Sequence, residues 1–345
     1  MKPLKPIFLA LAAFAAASAQ AQDDFTAERI REWLVPYASA ADVVVLRDGR
    51  KVGFTCMGEG SPTVILIPGM GDLAGMGWGN VQPEMAKTTR VCAWDRPGWG
   101  LSDGAEGKHT VATSTAALEE ALANGAIPGP YVLVGHSLGG YESMLFADRH
   151  PDQVAGMVLV DSSFPDQQEV GDRTGLPSPD PEVGLPTVFR KCAAAIRQGA
   201  VKPEGPDPDG CFAYPTYFPP ELAAALRVKA GDPIQYETMA SFLTTFADDA
   251  KIVINPVRNF GDMPLTVLTA ALPLPTPPDA TPEEVAGRAA WTVEWGRQHE
   301  LLAALSSRGI NARVPGANHY IQRTKPRVVI DAVEAVVAEA RSAGR

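Results

Sequence analysis

Four nearly unbroken apolar runs, Thr63–Ile67, Val91–Trp94, Tyr131–Val134 and Val154–Val160, are each closed by Gly, Pro, Asp or Ser and separated by segments of helical spacing, among them Val111–Asn124 and Leu138–Arg149. Runs that are apolar at almost every position suit strands buried on both faces, the condition of a parallel sheet covered by helices. Strand and helix alternating in this way predict βαβ units and an α/β fold with a mainly parallel central sheet flanked by helices. Ahead of these runs, Val43–Arg47 and Val52–Cys56 flank Asp48-Gly49-Arg50 and read as a β-hairpin.

The alternation then stops. Between Phe164 and about Val257 no comparable strand run occurs, and residues 165–220 hold 11 of the chain's 31 prolines. The pattern resumes with Leu265–Leu268, a helical Glu283–Ser307, a short strand at Ile310–Val314 and a last helix from about Lys325. One α/β domain interrupted by an insertion near its middle is the simplest organisation. Its expected parts are a signal peptide over 1–21, a core over 22–164, an insertion over 165–257 and the remaining core over 258–345.

The signal peptide rests on Lys2 and Lys5, the uncharged run Ile7–Ala19 and the small residues of Ala17-Ser18-Ala19 and Ala19-Gln20-Ala21. That order is a cationic start, an apolar stretch and a cleavage site. The apolar stretch is shorter than the roughly 20 residues that span a bilayer. Export, periplasmic or secreted, is therefore expected, without stable membrane insertion. The net charge is −10, with 30 Lys+Arg against 40 Asp+Glu and no basic stripe. Such a chain is not expected to bind nucleic acid, which rewards clustered cations.

The most informative motif is Gly135-His136-Ser137-Leu138-Gly139, a G-x-S-x-G placed between a strand and a helix. A sharp turn there forces Ser137 into strained backbone geometry and exposes its hydroxyl at a helix N-terminus, whose amides stabilise developing negative charge. Gly135 and Gly139 leave room where a β-carbon would collide.

With this elbow, Pro68-Gly69-Met70-Gly71 and Asp95-Arg96-Pro97-Gly98-Trp99-Gly100-Leu101-Ser102-Asp103, the chain from about residue 42 onward resembles the α/β-hydrolase superfamily. It departs from the resemblance at Pro68, where many members carry His before Gly. The resemblance implies the α/β-hydrolase fold with an inserted lid, Ser137 as nucleophile, and an oxyanion hole made by the backbone N–H groups of Met70 and Leu138. It implies that His319, in Gly316-Ala-Asn-His-Tyr320 between the last strand and last helix, is the base; a serine hydroxyl needs one, and histidine has a suitable pKa. His136 and His150 read as packing, and His109 and His299 belong to no motif. The Asp95–Asp103 segment reads as a structural turn.

The acid is less direct. Relatives commonly place an Asp after the strand that here is Leu265–Leu268, yet the sequence continues Thr269-Ala270-Ala271-Leu272-Pro273. Asp161, ending the strand after the elbow helix, is favoured, with Asp279 as the alternative. A carboxylate is needed to hold the imidazole tautomer and stabilise its charged form.

Family topology sets the second strand beside the fourth, which implies a Cys56–Cys92 bridge and leaves Cys192–Cys211 within the lid. No C-x-x-C spacing occurs, and neither metal nor cofactor is expected. Tyr214, Tyr217, Phe218, Phe242 and Phe246 are candidates for a lid pocket, against the plainer reading that they form the lid's own core. The expected function is an exported serine hydrolase that cleaves a small-molecule carboxylic ester through an acyl-enzyme. Amide or peptide hydrolysis and acyl transfer stand as alternatives with the same triad, and a non-catalytic binding protein as a further one. The sequence leaves the oligomeric state open.

Overall fold

The computed structural model describes residues 26–38, 42–125, 127–176 and 183–344. The expected signal peptide lies outside the described residues. Eight strands form one sheet: β1 Asp42–Val45, β2 Lys51–Met57, β3 Thr63–Ile67, β4 Val91–Trp94, β5 Tyr131–His136, β6 Val154–Val160, β7 Leu265–Ala270 and β8 Gly309–Val314. Their order is β1-β2-β4-β3-β5-β6-β7-β8. The hairpin β1–β2 and the β2–β4 pair are antiparallel, and every pair from β4 through β8 is parallel. This is the expected mainly parallel α/β sheet.

Helices follow in chain order: α1 Ala27–Leu34, α2 Ala74–Trp78, α3 Gln82–Met85, α4 Val111–Asn124, α5 Gly139–Arg149, α6 Gln167–Arg173, α7 Leu185–Arg197, α8 Pro220–Ala230, α9 Pro233–Thr244, α10 Phe246–Ile252, α11 Pro282–Ala303, α12 Ile321–Thr324 and α13 Pro326–Ser342. Side chains alternate across each strand. Ile65, Ile67, Leu133, Met157 and Leu159 therefore pack on one face with α4 and α5, while Val64, Leu66, Val132, Val134, Val158 and Val160 meet Val329, Val333 and Val336 of α13 on the other. Both faces are covered, which is why the strands read as continuous apolar runs. Each fully buried side chain of this kind contributes ~1.5–3 kcal/mol.

The segment between β6 and β7 carries the five helices α6 to α10 joined by turns and irregular stretches, with no strand among its described residues. Cys192 and Cys211 are bridged within it, and Cys56 is bridged to Cys92 on the neighbouring strands β2 and β4. Both bridges are compatible with export. Phe242, fully buried, packs on Trp99 and His109, and Phe218 clusters with Leu34, Leu222 and Leu226. Both aromatics are core side chains. Helix α1 reaches the same cluster, and its Arg31 donates to the Thr216 carbonyl at 2.7 Å. Among the described residues, no helix is long and apolar enough to cross a membrane.

Candidate active site

Strand register brings the site together. Ile67 pairs with Gly135, His136 with Val160, Val160 with Leu268, and Ala270 with Val314, so the carboxyl ends of β3, β5, β6, β7 and β8 lie side by side. The loops that leave them carry Gly69-Met70, Ser137, Asp161 and His319. Ligand sites of open α/β sheets form at this edge.

Ser137 has φ +52° and Asp161 φ +42°. An L-residue pays for a left-handed backbone, so strain at both positions marks a site held by its surroundings. A Cβ on Gly135 would lie 2.5 Å from the Gly139 carbonyl oxygen, and one on Gly139 would collide with the Ile67 carbonyl. The turn that lifts Ser137 closes only because both positions are glycine.

Ser137 Oγ lies 2.9 Å from His319 Nε2, and His319 Nδ1 lies 2.7 Å from Asp161 Oδ2. Asp161 is buried, and its other oxygen accepts from the Ala270 N–H at 2.8 Å and the Trp295 indole N–H at 2.9 Å. Burial alone would raise its carboxyl, but the His319 hydrogen bond and charge, with His299 and the Ala270 amide, outweigh it and hold it below the usual carboxylate range. Asp279 is exposed in the turn before α11 and has no bond to His319.

Among the described residues, no protein acceptor takes the N–H of Met70 or Leu138. The loop that carries Met70 sits against Ser137, since a Cβ on Gly69 would lie 3.4 Å from Ser137 Cβ. Behind the loop, Arg96 donates to the carbonyls of Gly69 at 2.7 Å and Pro68 at 2.6 Å and pairs with Glu142. Asp95 accepts from the amides of Ala74 and Leu101, and Ser102 donates to the Asp95 carbonyl. The Asp95–Asp103 turn is thus paired inward.

His136 packs, as its sequence context suggests, with ring centroids 4.8 Å from His319 and 5.0 Å from Tyr320. It does more: its Nε2 donates to the His319 carbonyl at 3.0 Å. Burial, followed by the nearby His319, pushes its pKa well down, so it is a neutral donor. His136, Ala270 and Trp295 all support the site and were missed in the sequence. Backbone donors leave no trace in residue identity, but Trp291, Trp295 and His299, four residues apart, form a legible stripe. A groove of about 960 Å³ beside Pro130, Val154 and Met263 opens at the opposite, amino ends of the strands.

The alpha/beta hydrolase family matches the chain over residues 64–332. This chain belongs to the alpha/beta hydrolase family. Hydrolase is the class that membership gives. Among solved structures, it is similar to a thermophilic esterase from Thermogutta terrifontis, with 20% identity and a TM-score of 0.54 over 86% of this chain and 98% of that one. It is also similar to a putative lipase from Acinetobacter baumannii, with 16% identity and a TM-score of 0.56 over 92% and 98%. At these identities the likeness shows the fold. By sequence, it is 30% identical over 114 residues to a 2-hydroxy-6-oxononadienedioate/2-hydroxy-6-oxononatrienedioate hydrolase of Escherichia coli, covering 32% of this chain and 39% of that protein. It is 47% identical over 83 residues to an uncharacterised protein of Schizosaccharomyces pombe, covering 24% of this chain and 16% of that one. The matched segments span well under half of either curated relative.

Proposed function

We propose that this alpha/beta hydrolase is an exported serine hydrolase that cleaves carboxylic esters of small molecules through an acyl-enzyme. The observation that carries the reading is the continuous hydrogen-bonded line from Ser137 Oγ through His319 to Asp161. In this mechanism His319 Nε2 takes the Ser137 proton as Oγ attacks the ester carbonyl. Asp161 keeps the Nδ1–H tautomer and stabilises the imidazolium. The N–H groups of Met70 and Leu138 receive the oxyanion, each donor lowering the barrier by ~3 kcal/mol. His319 then protonates the leaving alcohol, and water, activated by the same imidazole, releases the acid.

Solved structures of this fold include an esterase, a putative lipase, an epoxide hydrolase and a putative acyltransferase, so the ester reading rests on the site and not on the likeness. A serine at the elbow argues against dehalogenase and epoxide-hydrolase chemistry, which uses a carboxylate nucleophile. The deciding experiment incubates the mature protein with a fluorophosphonate probe, then with p-nitrophenyl esters of rising chain length beside aminoacyl anilides. Labelling at Ser137 and ester turnover are expected. Exclusive anilide turnover would move the assignment to an amidase, acyl transfer to added alcohol to a transferase, and an unlabelled Ser137 to a binding protein.

A further inference from the structure

Trp291, Trp295 and His299 lie at i, i+4 and i+8 of α11, hence on one helix face. Their rings form a ladder, with centroids 5.4 Å apart between the indoles and 5.0 Å apart between Trp295 and His299. Phe164, four residues beyond β6, packs against both indoles at 6.0 and 5.3 Å. His299 is fully buried and engaged at both nitrogens, Nδ1 with Thr269 Oγ1 at 2.7 Å and Nε2 donating to the Ser162 carbonyl at 2.9 Å. Trp295 is thereby wedged between the ends of β6 and β7. Its Nε1–H points at Asp161 Oδ1 from 2.9 Å, while its ring stands edge-on to His319 at 6.2 Å.

An acid at the end of β6 has a specific shortage. The sheet supplies Oδ1 with one backbone donor, Ala270 N–H, and Asp161 is too buried for water to supply another. A buried carboxylate is held, and its charge divided, by the donors it receives. Every donor on Oδ1 draws negative charge away from Oδ2, the oxygen that faces His319. The indole N–H is the side-chain donor that completes the set.

We propose that Trp295 is a positioning residue for Asp161: through its bond to Oδ1, the indole N–H sets how much charge Asp161 presents to His319. The inference rests on the Ser137–His319–Asp161 reading. Trp295→Phe removes the donor and keeps an aromatic ring, leaving Asp161 with more charge on Oδ2 and a stronger bond to the His319 Nδ1–H. A side chain that only filled space would give the opposite sign, because a looser carboxylate weakens that bond.

The test is proton NMR of the resting mature protein, following the downfield His319 Nδ1–H signal, assigned by its loss in His319→Gln. In Trp295→Phe this signal moves further downfield. In Trp291→Phe, which removes an indole with no bond to Asp161, it stays. Where the variant turns over ester, the acid limb of its kcat/KM profile moves up by roughly half a pH unit. As a second measurement in case Trp295→Phe folds poorly, the Trp295 indole N–H signal moves upfield in Asp161→Asn, where a neutral oxygen replaces the charged acceptor. An upfield or unmoved His319 proton in folded Trp295→Phe, or an unmoved indole signal in Asp161→Asn, overturns the inference. Both signals are read without substrate, so absence of ester turnover counts against the hydrolase reading alone.

Discussion

The guanidinium of Arg96 and the carboxylate of Glu142 meet at 2.6 Å with neither side chain exposed. The remaining Arg96 donors hold the carbonyls of Pro68 and Gly69, and Glu142 also accepts from Ser114. The pair therefore braces the loop that carries the Met70 amide. Arg96→Leu strands a buried carboxylate and two carbonyls, and a loss of ~3–5 kcal/mol is expected in urea denaturation. Arg96→Lys keeps the charge without the planar fork. It should fold, and a small shift of the loop then lowers kcat by about 10- to 100-fold with KM little changed. A kcat equal to wild type would show that the loop is set without Arg96.

Asp161 and Asp279 are separated by a pair of conservative variants. Asp161→Asn keeps the shape at 2.7 Å from His319 Nδ1 but removes the charge that stabilises the imidazolium. By analogy with serine-protease triads, kcat on the best p-nitrophenyl ester should drop by about 10⁴-fold. Asp279→Asn, on an exposed turn, should stay within twofold of wild type. The reverse pattern would overturn the acid assignment.

Strands, helix boundaries and the elbow were legible because apolar runs and glycine punctuation are local signals. Val111–Asn124 and Val154–Val160 match their predicted limits residue for residue. The order Ser137, Asp161, His319 was legible through the motif and the strand ends, although the acid competed with Asp279 because chain distance does not say which loop reaches the imidazole. The supporting contacts were harder to read. Arg96 reaches Glu142 across 46 residues, and Trp295 reaches Asp161 across 134. Such partners are chosen by tertiary packing. The aromatics between β6 and β7 show the same limit: Phe242 and Phe218 are apolar enough to line a pocket, but their burial assigns them to core.

Asp249, on α10, accepts from the Val111 N–H at the start of α4 and from Thr245 Oγ1. Burial, reinforced by Glu142 and Asp248, pushes its pKa up to about 7. Between about pH 4 and pH 7 the folded protein then keeps a proton that the unfolded chain releases, so stability falls as pH rises through that window. Asp249→Asn retains an acceptor for Val111 without ionising. Its Tm should match wild type near pH 4 and exceed it by roughly 5–8 °C at pH 8, with the difference growing between the two. Differential scanning across pH 4–8 tests this, and a pH-independent difference would rule it out.

The Cys192–Cys211 bridge closes a separation of 19 residues inside the inserted segment and sits in a cluster with Val201, Phe212 and Tyr236. Replacing both cysteines by alanine should cost ~3 kcal/mol, felt first in that segment. Limited proteolysis under native conditions should therefore cut the double variant between residues 185 and 236 before the core. Non-reducing peptide mapping of wild type should join Cys192 to Cys211 and Cys56 to Cys92. A peptide linking Cys56 to Cys192 or Cys211 would contradict both pairings.

His136 stands beside Ser137 in sequence, but its hydrogen bond goes to the His319 carbonyl. Because burial keeps its ring neutral, the contribution is geometric: one N–H fixes the backbone from which the imidazole hangs. Gln places an amide N–H near the Nε2 position, whereas Phe keeps the stacking surface against His319 and Tyr320 and removes the donor. His136→Phe should lower kcat by about 10- to 100-fold, the cost typical of losing a partner that orients a reactive side chain, and slow fluorophosphonate labelling of Ser137 in parallel. His136→Gln should recover most of both rates. Equal losses in the two variants would mean that the ring's shape, not its hydrogen bond, is what His319 requires.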